Sequence, residues 1–182
     1  MAADFRRTIA RAVVMAAAVW GLAGAAAAPA VDAQERWVEI RSAAGKFRGE
    51  FPGPFSEVWG ESFNYDTAPY HFHMSRGGIA VAPEDEMTAL RRNTVMMAYN
   101  AHAEILDTEV RTADGMTTIS FEMAGRDSER GEFRGRGYVI HRKKDVFYVE
   151  ATFPMGYERD PVVTRFFKSF VILDFKSFTI SY

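Results

Sequence analysis

Between Gly115 and Phe170 the sequence alternates in two facing runs that meet at Arg142-Lys143-Lys144-Asp145. A period of two sends successive side chains to opposite faces of a strand, so this stretch commits the chain to antiparallel hairpins. In the first run Phe133, Val139 and His141 share a face, with Gly135 and Gly137 between them. Arg134, Arg136, Tyr138, Ile140 and Arg142 take the other face. After the turn, Phe147, Val149, Ala151 and Phe153 are expected to continue the apolar face of Phe133 and Val139. Pro154 ends that strand, Asp160-Pro161 opens a short helix over 158–168, and Val171-Ile172-Leu173 is expected to close the same sheet.

Upstream, Trp37–Ile40 and Lys46–Phe51 read as short strands parted by the turn composition Ser42-Ala43-Ala44-Gly45. Pro52 and Pro54 stop the second of these, because proline donates nothing to a ladder. Two further runs, 58–66 and 68–76, read as a hairpin. In the latter Tyr70, Phe72 and Met74 oppose His71, His73 and Ser75. Gly77-Gly78 is expected to turn the chain into the apolar run Ile79–Ala82. Pro83-Glu84-Asp85-Glu86 then opens the one long helix, with its acids at the positive end of the dipole. Met87, Leu90, Thr94, Met97 and Ala101 form its buried stripe, with Arg91, Arg92, Asn93 and Asn100 off it. Residues 103–113 and 116–124 make a hairpin through Asp114-Gly115.

The first 33 residues have the pattern of an export leader. Arg6, Arg7 and Arg11 precede the small apolar stretch Ala12–Ala28, and Val31-Asp32-Ala33 supplies the residues a signal peptidase reads. Cleavage after Ala33 is expected, by the general secretory route in preference to the twin-arginine one. The domain division is then 1–33 leader, 34–174 one domain, and 175–182 a tail or extra edge strand. The tail echoes the residues eight positions before it (Phe167-Lys168-Ser169-Phe170 against Phe175-Lys176-Ser177-Phe178), as a small tandem duplication would. Losing three Arg and two Asp with the leader moves the net charge from −2 to −3, which argues against nucleic acid. With no cysteine there is no disulfide, lipid anchor or thiolate centre, and no membrane anchor is expected after leader removal.

The order of these landmarks resembles the small secreted bacterial proteins of the PsbP-like superfamily. It runs from a Trp-led first strand through Phe51-Pro52-Gly53, the helix after Pro83, the Gly115 hairpin and Phe153-Pro154 to Arg165-Phe166-Phe167-Lys168-Ser169-Phe170. The resemblance spans Trp37 to Leu173. It implies an α+β fold, an α/β/α sandwich around a mainly antiparallel sheet, acting by binding and not by catalysis, and it carries over no site.

Two constellations carry chemistry. His71 and His73, two apart on one strand face, are a candidate transition-metal chelate lacking a local third ligand, or else two solvent-facing histidines. Arg134 and Arg136 anchor a basic stripe suited to an acidic protein partner or a membrane surface, or a solvated sheet face. The aromatic loop Phe51–Trp59 is a second contact candidate. No catalytic motif occurs, and no cofactor is implied. The expectation is an exported, non-enzymatic binding or accessory protein meeting another envelope protein. The alternative is a periplasmic protein binding a small ligand or metal through His71 and His73.

Overall fold

The alternating runs fold into a seven-stranded antiparallel sheet. The structure, a computed structural model, describes residues 36–78, 85–128 and 130–173, all within one unit, Gln34–Tyr182. The leader, the apolar run 79–82, the helix opening at Pro83-Glu84 and the tail 175–182 lie outside the described residues.

In chain order the elements are β1 (Val38–Arg41), β2 (Phe47–Phe51), β3 (Ser56–Val58), β4 (Ser62–Thr67), β5 (Tyr70–Gly78), α1 (Glu86–Asn100), β6 (Ala103–Ala113), β7 (Met116–Asp127), β8 (Gly131–Arg142), β9 (Asp145–Pro154), α2 (Pro161–Ser169) and β10 (Val171–Ile172). The large sheet runs β3-β4-β5-β9-β8-β7-β6, and a small one runs β1-β2-β10. Asp114 and Gly115 both take positive φ, 51° and 72°, as a two-residue hairpin turn requires. Asp160 caps α2 by accepting from the Val162 N–H at 2.7 Å, with Pro161 at the first helical position.

Three expectations change. Val171 and Ile172 pair with Arg48 and Phe47 of β2, not with the large sheet. The reason is that α2 is tied to β2: the Glu50 N–H donates to Ser169 Oγ at 2.8 Å, and Arg165 Nε donates to Glu50 at 2.9 Å. Gly77 and Gly78 continue β5, paired with Val146 and Asp145 of β9, instead of turning the chain. Finally, Phe147, Val149 and Ala151 lie on the face opposite Val139. The turn Lys143-Lys144 holds only two residues, so Arg142 pairs with Asp145 and Val139 with Tyr148. Every odd residue of β8 therefore shares a face with an even residue of β9.

Both faces of the large sheet are consequently buried. One carries α1 over Ile119, Phe121, Met123, Val139 and Val146. The other carries α2 and the small sheet over Phe72, Met74, Ile140, Phe147 and Val149. Phe166 of α2 stacks on Phe72 with centroids 4.4 Å apart. The layering is an α/β/α sandwich, as expected, with the small sheet beside α2. On the α1 face Gly135 and Gly137 sit where any Cβ would overlap Met123 and Phe121, which lie across them. Among the described residues no helix is long and apolar enough to cross a membrane.

Candidate functional site

Helix α1 packs on β6, β7 and β8, and its C-terminal residues border a cavity. A pocket of about 350 Å³ opens there, walled by β4, β5 and β9, by Asn100–His102 at the end of α1, and by Asp127 and Arg130 of the β7–β8 turn. His71 and His73 project into it, because odd residues of β5 face α1. They are half-buried and not solvent-facing.

His73 is fully engaged. Its Nδ1 lies 2.6 Å from Asn64 Oδ1. An amide oxygen only accepts, so Nδ1 holds the proton, and Nε2 accepts from the Ser75 hydroxyl at 2.8 Å. Burial, reinforced by His71, pushes this imidazole down to about 4, so it is neutral in neutral solution. His71 is also lowered, first by burial and then by Arg130, against the opposing pull of Asp66 at 3.6 Å. The Ser75–His73–Asn64 chain has the connectivity of a hydroxyl–imidazole–amide relay. An imidazole held near 4 is a weak base, however, and an amide stabilises its protonated form less than a carboxylate does.

The unexpected member is Glu150. It pairs with His73 of β5, is 6% exposed, and lines the pocket without a hydrogen bond or ion pair to any other described residue. Burial alone pushes its carboxyl up to about 7. Thr152 lies beside it, opposite His71. Sequence inspection passes over Glu150 because carboxylates are common; the usable signal is that it is the lone charge in the apolar run 146–153.

Of the other histidines, His102 lines the same pocket, with its backbone held at φ 55°. His141 sits at the opposite end of α1, 2.6 Å from Glu86. Among the described residues no three His, Asp or Glu side chains are grouped to hold a metal ion.

Arg134 and Arg136 lie on the other face, so the two candidate sites do not meet. They line a smaller cleft of about 240 Å³ with Glu122, Phe153 and Glu158. Arg136 reaches Glu122 at 3.5 Å. Backbone hydrogen bonds, then Arg134 and Arg136, lower Glu158. In the aromatic loop Phe51 is buried, whereas Trp59, at φ 51° in the β3–β4 turn, is 94% exposed.

No protein-family model matches the sequence, and no curated protein does. Among solved structures the chain is similar to the cyanobacterial PsbP (CyanoP) of Synechocystis sp. PCC 6803. The match has 14% identity and a TM-score of 0.54, covering 76% of this chain and 93% of that one. It is also similar to the Saccharomyces cerevisiae Ran-binding protein Mog1p, with 9% identity, a TM-score of 0.48, and 76% and 96% coverage. The first likeness establishes the fold.

Proposed function

We propose that this chain is an exported, non-enzymatic binding protein whose working part is the pocket at the end of α1, taking a small polar ligand. The observation that carries this reading is Glu150, a residue 6% exposed whose carboxyl has no partner among the described residues and lies at a pocket wall. Its oxygens open onto the pocket, where a ligand offering donors can reach them. Concave sites with a few convergent polar groups are the usual places for such ligands. Export rests on the leader pattern of residues 1–33, and the absence of catalysis on the weak base in the Ser75–His73–Asn64 chain.

Thermal shift against a panel of small polar compounds and metal ions tests this. A compound that raises the melting temperature of the parent, and not of a Glu150→Gln variant, supports the pocket. Turnover of an activated ester that is lost in Ser75→Ala would instead make the relay catalytic.

Contact with another envelope protein is the second reading. Trp59 favours it: a large aromatic side chain held out from a tight turn suits a partner's pocket, as interface anchors do. Crosslinked capture from an envelope fraction by the parent, lost in Trp59→Ala, is the outcome that selects this reading.

A further inference from the structure

Resting on the pocket as a small-ligand site, we infer that its ligand is a protonated amine, held by Glu150 as counter-ion. Three independent features of the pocket agree on this. The first is hydrogen bonding. Glu150 accepts from none of the described residues, and its oxygens open onto the pocket. An ammonium brings three N–H donors and no acceptor, which fits a wall that supplies acceptors. The second is the helix. Asn100, Ala101 and His102 line the pocket at the C-terminus of α1, whose last turn carries no basic residue. The negative end of the dipole favours a cation there. The third is the charge around the mouth. There the carboxylates of Asp66 and Asp127 stand beside Arg130, each 3.6 Å from its guanidinium.

A bare metal ion fits less well. His73 has both ring nitrogens in use, and no three ligating side chains are grouped among the described residues. A carboxylate or phosphate ligand meets the wrong sign from Glu150, Asp66 and the helix end. The volume, about 350 Å³, is that of roughly ten waters, enough for a small organic amine.

Binding carries a proton balance. The amine enters as R–NH3⁺, the Glu150 carboxyl gives its proton to solvent, and the bound state is R–NH3⁺ against Glu150–COO⁻. The charged and titratable groups facing this event are His71 and His73 from β5, Asp66 from β4, His102 after α1, and Asp127 and Arg130 from the β7–β8 turn. Both β5 imidazoles are held toward the neutral form, so neither competes as the counter-charge.

The test is calorimetric titration at pH 6.5 with ethanolamine and 1,4-diaminobutane, in two buffers of different ionisation enthalpy. Propanoate, propanamide and zinc chloride serve as matched controls. The expected result is binding of the amines with proton release, weakened at least tenfold in Glu150→Gln. Should that variant unfold, Asn100→Lys supplies a second reading. Its tethered ammonium sits at an exposed position in the last turn of α1, favourable to the helix, and is expected to weaken amine binding several-fold. Binding of propanoate or propanamide in preference to the amines overturns the ligand class and leaves the pocket reading standing. Zinc binding alone overturns it in favour of a metal, and silence from all five probes at millimolar concentration counts against class and pocket together.

Discussion

Replacing Glu150 by glutamine should change how stability depends on pH, and the size of the change follows from burial. The carboxyl moves from its ordinary 4.5 to about 7 because burial among β5, β9 and the end of α1 penalises its ionised form. At about 1.4 kcal/mol per pH unit, the ionised form is disfavoured by about 3 kcal/mol relative to the neutral one. The sign is that of an acid raised on folding. Between pH 4.5 and 7 the folded chain binds more protons than the unfolded chain, so this group's contribution falls as pH rises and is gone above 7. Glutamine is close to isosteric and never ionises. The variant should therefore gain about 3 kcal/mol on the parent between pH 4.5 and pH 8, whatever its stability at the acid end. Urea unfolding at those two values, with the slope against denaturant unchanged, reads the difference directly. Parallel pH profiles for parent and variant would refute the reasoning, because they would mean that water in the pocket already solvates the carboxylate.

His73 should behave in the opposite sense. Its folded pKa is lowered to about 4, so its contribution is complete above 6.5 and lost as pH falls. Between pH 6.5 and 4.5 the parent should lose about 2 kcal/mol more than His73→Gln, by the same urea measurement. Gly137→Ala should cost about 1–3 kcal/mol in thermal unfolding, because the new methyl overlaps the buried Phe121 ring; an unchanged melting temperature would mean that the ring has room to withdraw. Reversing Arg134 and Arg136 to glutamate removes an ion pair at the sheet surface and should shift stability by no more than about 1 kcal/mol. If the basic cleft is the protein-contact surface, the same change abolishes crosslinked capture of its partner, and retained capture discards that surface.

Much of the fold is written locally. Asp114-Gly115 and Asp160-Pro161 mark turn and helix start with their own backbone preferences, and period-two alternation sorts β5, β7 and β8 into faces correctly. The layer assignment is not local. Val171-Ile172 is an apolar strand fragment in either sheet, and contacts more than a hundred residues apart in sequence, Ser169–Glu50 and Arg165–Glu50 among them, seat it on β2. The face of β9 was accessible in principle, since a two-residue turn fixes which parity of β9 joins which parity of β8. The pocket is the least legible part. It takes one wall each from β4, β5 and β9, a helix end and a turn, so the histidine pair was visible in the sequence while its burial, its occupied nitrogens and the neighbouring Glu150 were products of assembly.

The two-residue turn at Lys143-Lys144 acts on β9 as a reading frame acts on a codon string. Substitutions along β9 change one side chain each. One residue gained or lost between the turn and Glu150 shifts every side chain beyond it by one place: Glu150 turns toward the phenylalanines of α2, and Ala151 or Val149 takes over its place in the pocket wall, unless a bulge absorbs the step. Length in this stretch is thus under tighter constraint than composition, and a diverging copy of this chain can lose the pocket by a single-residue deletion while retaining every residue that lines it.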